Sequence, residues 1–152
     1  KNGGTVFHVY LPIVSPLREI AKVKPEPLPR GTEHIMVVDD ETTIADMVKR
    51  MLEKFGYKAD VFNTPISALN AFIQNPEKYD LLITDFTMPH MNGMELAEQI
   101  HILNEKFPII MISGIGESIT TKTLDKYLIK ELIVKPITLK TLTEVVHKVL
   151  KT

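Results

Sequence analysis

From residue 32 onward the chain repeats one pattern five times: a short apolar run, a polar break, then apolar residues at helical spacing. This alternation constrains the fold more than any other feature. Repeated βα units build a parallel sheet with helices on both faces. A strand covered on both sides shows a continuous apolar run rather than alternation. The predicted strands are 35–38, 57–62, 79–85, 107–113 and 131–135. Helical faces are predicted from Ile44, Met47, Val48, Met51, Leu52 and Phe55; from Ile66, Leu69, Phe72 and Ile73; and from Leu96, Ala97, Ile100 and Leu103. A weaker, threonine-rich helix spans 117–129, and Leu139, Leu142, Val145, Val146 and Val149 mark the last. Thr42 or Thr43, Thr64 and Thr138 are predicted N-caps, with Pro65 at a first helical position and Gly56 as a stop. The expected class is therefore α/β, a doubly wound five-stranded parallel sheet.

Every one of these strands but the second ends on a chemically useful group. The first runs into Asp39, Asp40 and Glu41, the third ends on Asp85, the fourth on Ser113 and the fifth on Lys135. In a parallel sheet these ends share one edge, and ligands bind beyond it, where strand order reverses. Crowded carboxylates raise one another's pKa unless a cation joins them. Hard oxygen ligands suit Mg²⁺, which keeps waters and a phosphate oxygen in its shell. A carboxylate can also attack phosphorus and form an acyl phosphate. Phosphoryl transfer asks mainly for in-line positioning and charge neutralisation. On this reading Asp40 and Asp85 hold Mg²⁺ and Asp39 acts through a water. The Thr87 carbonyl is a further metal ligand. Lys135 supplies a point charge, and Ser113 donates a hydrogen bond, with Gly114 leaving room beside it. Each part has a plain alternative as a turn residue or a solvated charge; their joint placement at strand ends favours the functional reading.

Composition bounds the rest. The 152 residues are 44% hydrophobic and 24% charged, an ordinary globular balance for one core. With no cysteine, disulfides and thiolate metal sites are excluded. A net charge of -1 gives no electrostatic argument for nucleic acid. No apolar run reaches the roughly 18 residues a membrane span requires. The scattered His8, His34, His90, His101 and His147 show no metal-ligand spacing.

The N-terminal part reads differently. Residues 1–12 form a glycine turn and one strand, which needs a partner to be stable. Residues 13–31 read as a linker, with prolines at 25, 27 and 29 favouring extended geometry. The sequence begins at Lys1 rather than Met and is read as part of a longer chain.

Val37-Val38-Asp39-Asp40-Glu41, Asp85-Phe-Thr-Met-Pro-His-Met-Asn-Gly93, Ser113-Gly114 and Lys135-Pro136 together resemble the receiver domain of two-component response regulators, over about residues 33–151. The resemblance implies a flavodoxin-like strand order of 2-1-3-4-5 and a receiver domain at 32–152. It implies that Asp85 accepts a phosphoryl group from a kinase histidine, so that the domain phosphorylates and dephosphorylates itself. Asp39, Asp40 and Asp85 would hold Mg²⁺, and Ser113 and Lys135 would respond to the phosphoryl group. It also implies a cis peptide before Pro136. One position departs from the family: the aromatic residue usual three places before the lysine is Leu132, and Tyr127 lies too far back to align. The switch residues are then Ser113, Leu132 and Pro136, with the usual aromatic readout in question.

Residues 3–12 are similar to the last strand of the ATP-binding domain of sensor histidine kinases. Joined to a receiver, this implies the C-terminal part of a hybrid histidine kinase, in the cytoplasm, whose parent chain is membrane-attached or free. Expected partners are a histidine kinase domain in cis or in trans, a histidine phosphotransfer domain or a second copy of the chain. Neither nucleic acid nor membrane contact is expected of this segment. Three alternatives remain: a receiver of a stand-alone response regulator, a degenerate receiver that only docks partners, and unrelated enzymes on similar sheets. A haloacid-dehalogenase-like phosphatase needs a second Asp where Thr87 stands. A flavin mononucleotide module needs a phosphate loop where Asp39-Asp40-Glu41 would repel the phosphate.

Overall fold

The structure, a computed structural model, describes residues 5, 7–10, 27–114 and 119–151. Strands β1 (His34–Val38), β2 (Lys58–Phe62), β3 (Leu81–Asp85), β4 (Ile109–Ser113) and β5 (Glu131–Val134) alternate with helices α1 (Thr42–Lys54), α2 (Pro65–Gln74), α3 (Gly93–Leu103), α4 (Thr121–Lys126) and α5 (Leu139–Leu150). The sheet is parallel, in the order β2-β1-β3-β4-β5, so the expected topology holds.

The apolar runs explain the two layers. Alternate residues of each strand face opposite sides, and both sides are covered. Ile35, Val37, Leu81, Ile83, Ile110 and Ile112 pack under α1 and α5, while Met36, Val38, Leu82, Ile109 and Met111 pack under α2 and α3. Ile35, Leu81, Ile83 and Ile110 are fully buried, each contributing about 1.5–3 kcal/mol relative to exposure. Five adjacent strands therefore give a rigid floor whose carboxyl edge carries the polar residues.

Several local expectations are corrected. The N-cap of α1 is Glu41, without a side-chain cap, and Thr42 is the first helical residue. Thr64 and Thr138 do cap α2 and α5, accepting from the amides of Ser67 and Thr141. The predicted apolar face of α2 is only half right: Ala68 and Phe72 are buried, but Ile66 and Ile73 are more than half exposed. Leu103 is likewise exposed at the last turn of α3. Strands β2, β3 and β4 begin one or two residues later than predicted, because Tyr57, Tyr79 and Phe107 fill the layers from the preceding loops. The weak helix shortens to Thr121–Lys126, with no buried residue; residues 117 and 118, its predicted start, lie outside the described residues.

The linker expectation also changes at one end. Residues 27–31 are seated on the domain: Leu28 packs against the α1–α5 core, the Gly31 amide donates to Phe55 O at 3.2 Å, and the Arg30 guanidinium lies 6.0 Å from the Phe55 ring centre. Gly31 is required there, since a Cβ would stand 2.1 Å from the Tyr57 ring. Most of segment 1–26 lies outside the described residues; residues 7–10 are exposed and carry no strand.

Candidate functional site

Three strand ends bring the predicted residues together. Asp39 follows β1, Asp85 closes β3 and Ser113 closes β4; all three are at least 94% buried, with exposures of 2%, 6% and 2%. Lys135, one residue past β5, reaches back across the edge. Its Nζ lies 2.7 Å from Asp85 Oδ1 and 3.6 Å from Asp39 Oδ2. The lysine is aimed by its own backbone, because its amide donates to Ser113 O at 2.8 Å. The peptide between Lys135 and Pro136 is cis, as the resemblance implied.

Each carboxylate is oriented by a backbone amide two residues on. Glu41 N–H donates to Asp39 Oδ1 at 2.8 Å, and Thr87 N–H donates to Asp85 Oδ2 at 3.0 Å. The remaining oxygens, Asp39 Oδ2 and Asp85 Oδ1, are buried and accept no hydrogen bond of normal geometry. The ammonium beside Asp85 Oδ1 compensates that charge as an ion pair. Burial pushes the Asp39 pKa up, against the lowering effect of the Glu41 amide and the Lys135 charge. Burial opposes the Lys135 ammonium, but Asp85, Asp39 and Glu41 outweigh it and the lysine pKa is raised.

The loop after Asp85 is held as a unit. Phe86 N donates to Ile112 O, and Gly93 N donates to Phe86 O. Asn92 and Glu95 form a reciprocal capping box at the start of α3. Gly93 touches the strand end itself: a Cβ there would stand 2.2 Å from Asp85 O and 2.8 Å from Met111 Sδ. The glycine of the sequence motif is thus the contact that lets α3 start directly against Asp85.

Other predicted residues are placed less centrally. Asp40 is exposed and lines, with Asn63, Thr64, Pro65 and His90, a cavity of about 440 Å³ beside the acidic turn. Among the described residues no three carboxylate or imidazole groups stand together as a ready metal-ligand set. Thr87 enters the site through its amide. Leu132 is half-buried against the α2–α3 core, alongside Leu124 and Tyr127, and pairs in register with Met111 rather than Ser113.

The donor chemistry nevertheless fits a hard divalent cation. Two buried carboxylate oxygens, Asp39 Oδ2 and Asp85 Oδ1, both lie within 4 Å of the Lys135 ammonium, and a third carboxylate, Asp40, follows Asp39 in the chain. One residue was missed by the sequence reading. Asn63, directly after β2, donates from Nδ2 to Asp39 O at 3.2 Å. Its signal was present: it sits at the carboxyl end of the one strand that offered no chemistry, just before the Thr64-Pro65 helix start.

Known proteins are similar to this chain in sequence and in fold. The chain is 34% identical over 122 residues to the chemotaxis protein CheY1 of Helicobacter pylori, covering 78% of this chain and 97% of that one. It is 31% identical over 103 residues to the two-component response regulator ARR14 of Arabidopsis thaliana, covering 68% of this chain. It is 34% identical over 111 residues to the sensor protein EvgS of Escherichia coli K12, covering 70% of this chain. The chain spans only 27% of ARR14 and 9% of EvgS. A solved response regulator receiver domain protein from Clostridium thermocellum superposes with a TM-score of 0.74 at 27% identity, covering 78% of this chain and 94% of that one. The profile of the response regulator receiver domain matches residues 35–147, and with the acidic turn, Asp85, Ser113 and Lys135 gathered on one sheet edge, this chain belongs to the receiver domain family of two-component signalling.

Proposed function

We propose that Asp85 is the phosphoacceptor and that its acyl phosphate switches partner contacts. The observation that carries this reading is the Asp85 carboxylate itself. It is 6% exposed, at the carboxyl edge of the central strand, with an ammonium 2.7 Å away and a second carboxylate sharing that ammonium. A structural aspartate in a turn has no need of this surround. In the proposed reaction an Asp85 oxygen attacks the phosphorus of a phosphohistidine. The new P–O bond forms as the P–N bond breaks, and the histidine nitrogen keeps the electron pair and takes a proton. Thr87 N–H holds the carboxylate for in-line approach. Lys135 moves with the charge, from the carboxylate to a phosphoryl oxygen, and Ser113 donates to another. Attack of water on phosphorus later returns the free carboxylate and inorganic phosphate.

Asp39, Asp40 and Asp85 would hold Mg²⁺, with the Thr87 carbonyl as a further ligand. The ion would neutralise oxygen charge during transfer. This reading is supported by the two buried carboxylate oxygens, Asp39 Oδ2 and Asp85 Oδ1, that share a single cation, and by the all-oxygen donor set.

The donor class follows from the family: a sensor histidine kinase domain, in cis or in trans, or a histidine phosphotransfer domain. The similarity to a sensor protein, together with the resemblance of residues 3–12 to a kinase strand, supports the hybrid kinase context, and a cytoplasmic location is part of the same proposal. Among the described residues no helix is long and apolar enough to cross a membrane. A dimer of receivers is a further partner reading.

Phosphoramidate tests the reaction without any partner protein, because its P–N bond stands in for phosphohistidine. Intact mass should show one phosphoryl group gained only when Mg²⁺ is present, and none in Asp85→Asn. An adduct of equal yield in Asp85→Asn would overturn the assignment.

A further inference from the structure

We infer that Asn63 is a positioning residue for the acidic turn: it clamps the Asp39 backbone from the end of β2 and so sets where the Asp40 carboxylate stands relative to Asp85. This rests on the metal reading above. Two contacts carry the inference. Asp39 N–H donates to Phe62 O at 3.2 Å, and Asn63 Nδ2–H donates to Asp39 O at 3.2 Å. Both polar groups of the Asp39 backbone are thereby held by consecutive residues of a neighbouring strand end. The Asp39 carbonyl belongs to the peptide that leads into Asp40, so the amide of Asn63 holds the plane from which the Asp40 side chain departs.

The clamp has a rigid base. Thr64, the next residue, caps α2 by accepting from Ser67 N–H, and Pro65 is buried at the first helical position with its φ restricted by the ring. Asn63 therefore stands between a paired strand and a capped helix and has little freedom of its own. Asp40 by contrast is exposed, with no hydrogen bond among those of the site to hold its carboxylate. Its placement depends on backbone held from outside the turn. Asn63 and Asp40 also line the same cavity, so α2 begins where the acidic turn ends. A ligand carboxylate supported by a hydrogen-bonded neighbour loses affinity when that neighbour is removed, and the fold of the protein need not change. Asn63 is exposed, so its replacement removes no core packing.

The test uses the whole chain, with Asn63→Leu (similar size, no donor) and Asn63→Ala. Mg²⁺ alone is titrated and followed by amide NMR shifts at residues 39–41 and 85–87. Amide exchange at Asp39 is measured without metal, and thermal midpoints are recorded beside it. The inference predicts Mg²⁺ binding about tenfold weaker in both variants, faster exchange at Asp39, and midpoints close to the parent's. Lower midpoints with unchanged Mg²⁺ affinity would assign Asn63 a structural role only and overturn the inference. Affinity within twofold of the parent in both variants would also overturn it. If the parent itself shows no Mg²⁺-dependent shifts, the metal reading fails and the positioning role toward the ion falls with it. In that case the Asp39 exchange rates still report whether the clamp exists.

Discussion

At the residue scale, the site is a small set of opposed charges held out of water, and its titration has a definite sign. Asp39 has a raised pKa, mainly through burial. A carboxyl whose folded pKa is raised stabilises the fold below its unfolded value, and that contribution is lost as pH rises through the folded value. Ionised Asp39 therefore costs stability at neutral pH. Asp39→Asn keeps an acceptor for Glu41 N–H and removes that charge. We expect it to be more stable than the parent at pH 7 by about 1–2 kcal/mol. The gain should shrink as pH falls through the raised folded value and be gone by the ordinary carboxylate value of ~4. Urea unfolding at the two pH values checks this, and a variant less stable at pH 7 contradicts it. Lys135→Met should act the other way, costing about 2–3 kcal/mol at pH 7 by leaving two buried carboxylates without their cation. Away from the site, Asp60 carries the opposite shift. Burial tends to raise its pKa, but hydrogen bonds from Lys78, His34 and Tyr79 hold it at about 2. Its contribution is present above the unfolded value and lost as pH falls through about 2. Asp60→Asn should cost only about 0.5–1 kcal/mol at neutral pH, since the side chain is one-third open to water, and nothing in strong acid.

At the element scale, the same sheet carries helices of very different security. α3 is anchored by Leu96, Ala97 and Ile100 and by the Asn92–Glu95 box. α4 has six residues, none buried, and is followed by Leu128 at a φ of 54°, the left-handed region that glycine prefers. We expect amides of α4 to exchange faster than those of α3. Protection within 119–132 should change when a phosphoryl mimic such as beryllofluoride is bound, because Ser113 lies at the head of the segment leading to α4. Exchange that is identical with and without the mimic would remove α4 from the switch. These differences also show what could be read beforehand. Strands β1, β3 and β4 were legible because continuous Ile, Leu, Val and Met runs leave few alternatives. The face of α2 was half misread: Phe72 is buried as its spacing predicts, but Ile66 and Ile73, which fit the same period, face water, and small Ala68 takes the place against the sheet. The Glu41 cap was missed because a threonine pair next to it matched the capping preference better.

At the scale of the whole molecule, the site exists only because the strand order brings together four strand ends distant in sequence. The types of its residues were legible one by one: Asp39, Asp85, Ser113 and Lys135 each end an apolar run, and all four meet at one edge. Their geometry was not legible, because spacing along a chain says nothing about which atom a side chain aims at. Thus the Thr87 amide bond to Asp85 was not foreseen, and Asn63 escaped notice. The seating of residues 27–31 was not legible for the same reason. Residues 27–31 look like linker by composition, yet Leu28 and Gly31 are fitted to the domain. Gly31→Val should therefore cost about 2 kcal/mol through overpacking against Tyr57, read by thermal unfolding. A change within experimental error would mean that this segment does not dock.

The central claim concerns one oxygen atom, and chemical trapping tests it most directly. The chain is treated with Mg²⁺ and acetyl phosphate, then with borohydride, which reduces an acyl phosphate to an alcohol and leaves free carboxylates intact. Peptide mapping then locates the change. The account predicts homoserine at position 85 and nowhere else, dependent on Mg²⁺ and on the phosphodonor. Homoserine at position 39 or 40, with Asp85 intact, would contradict it.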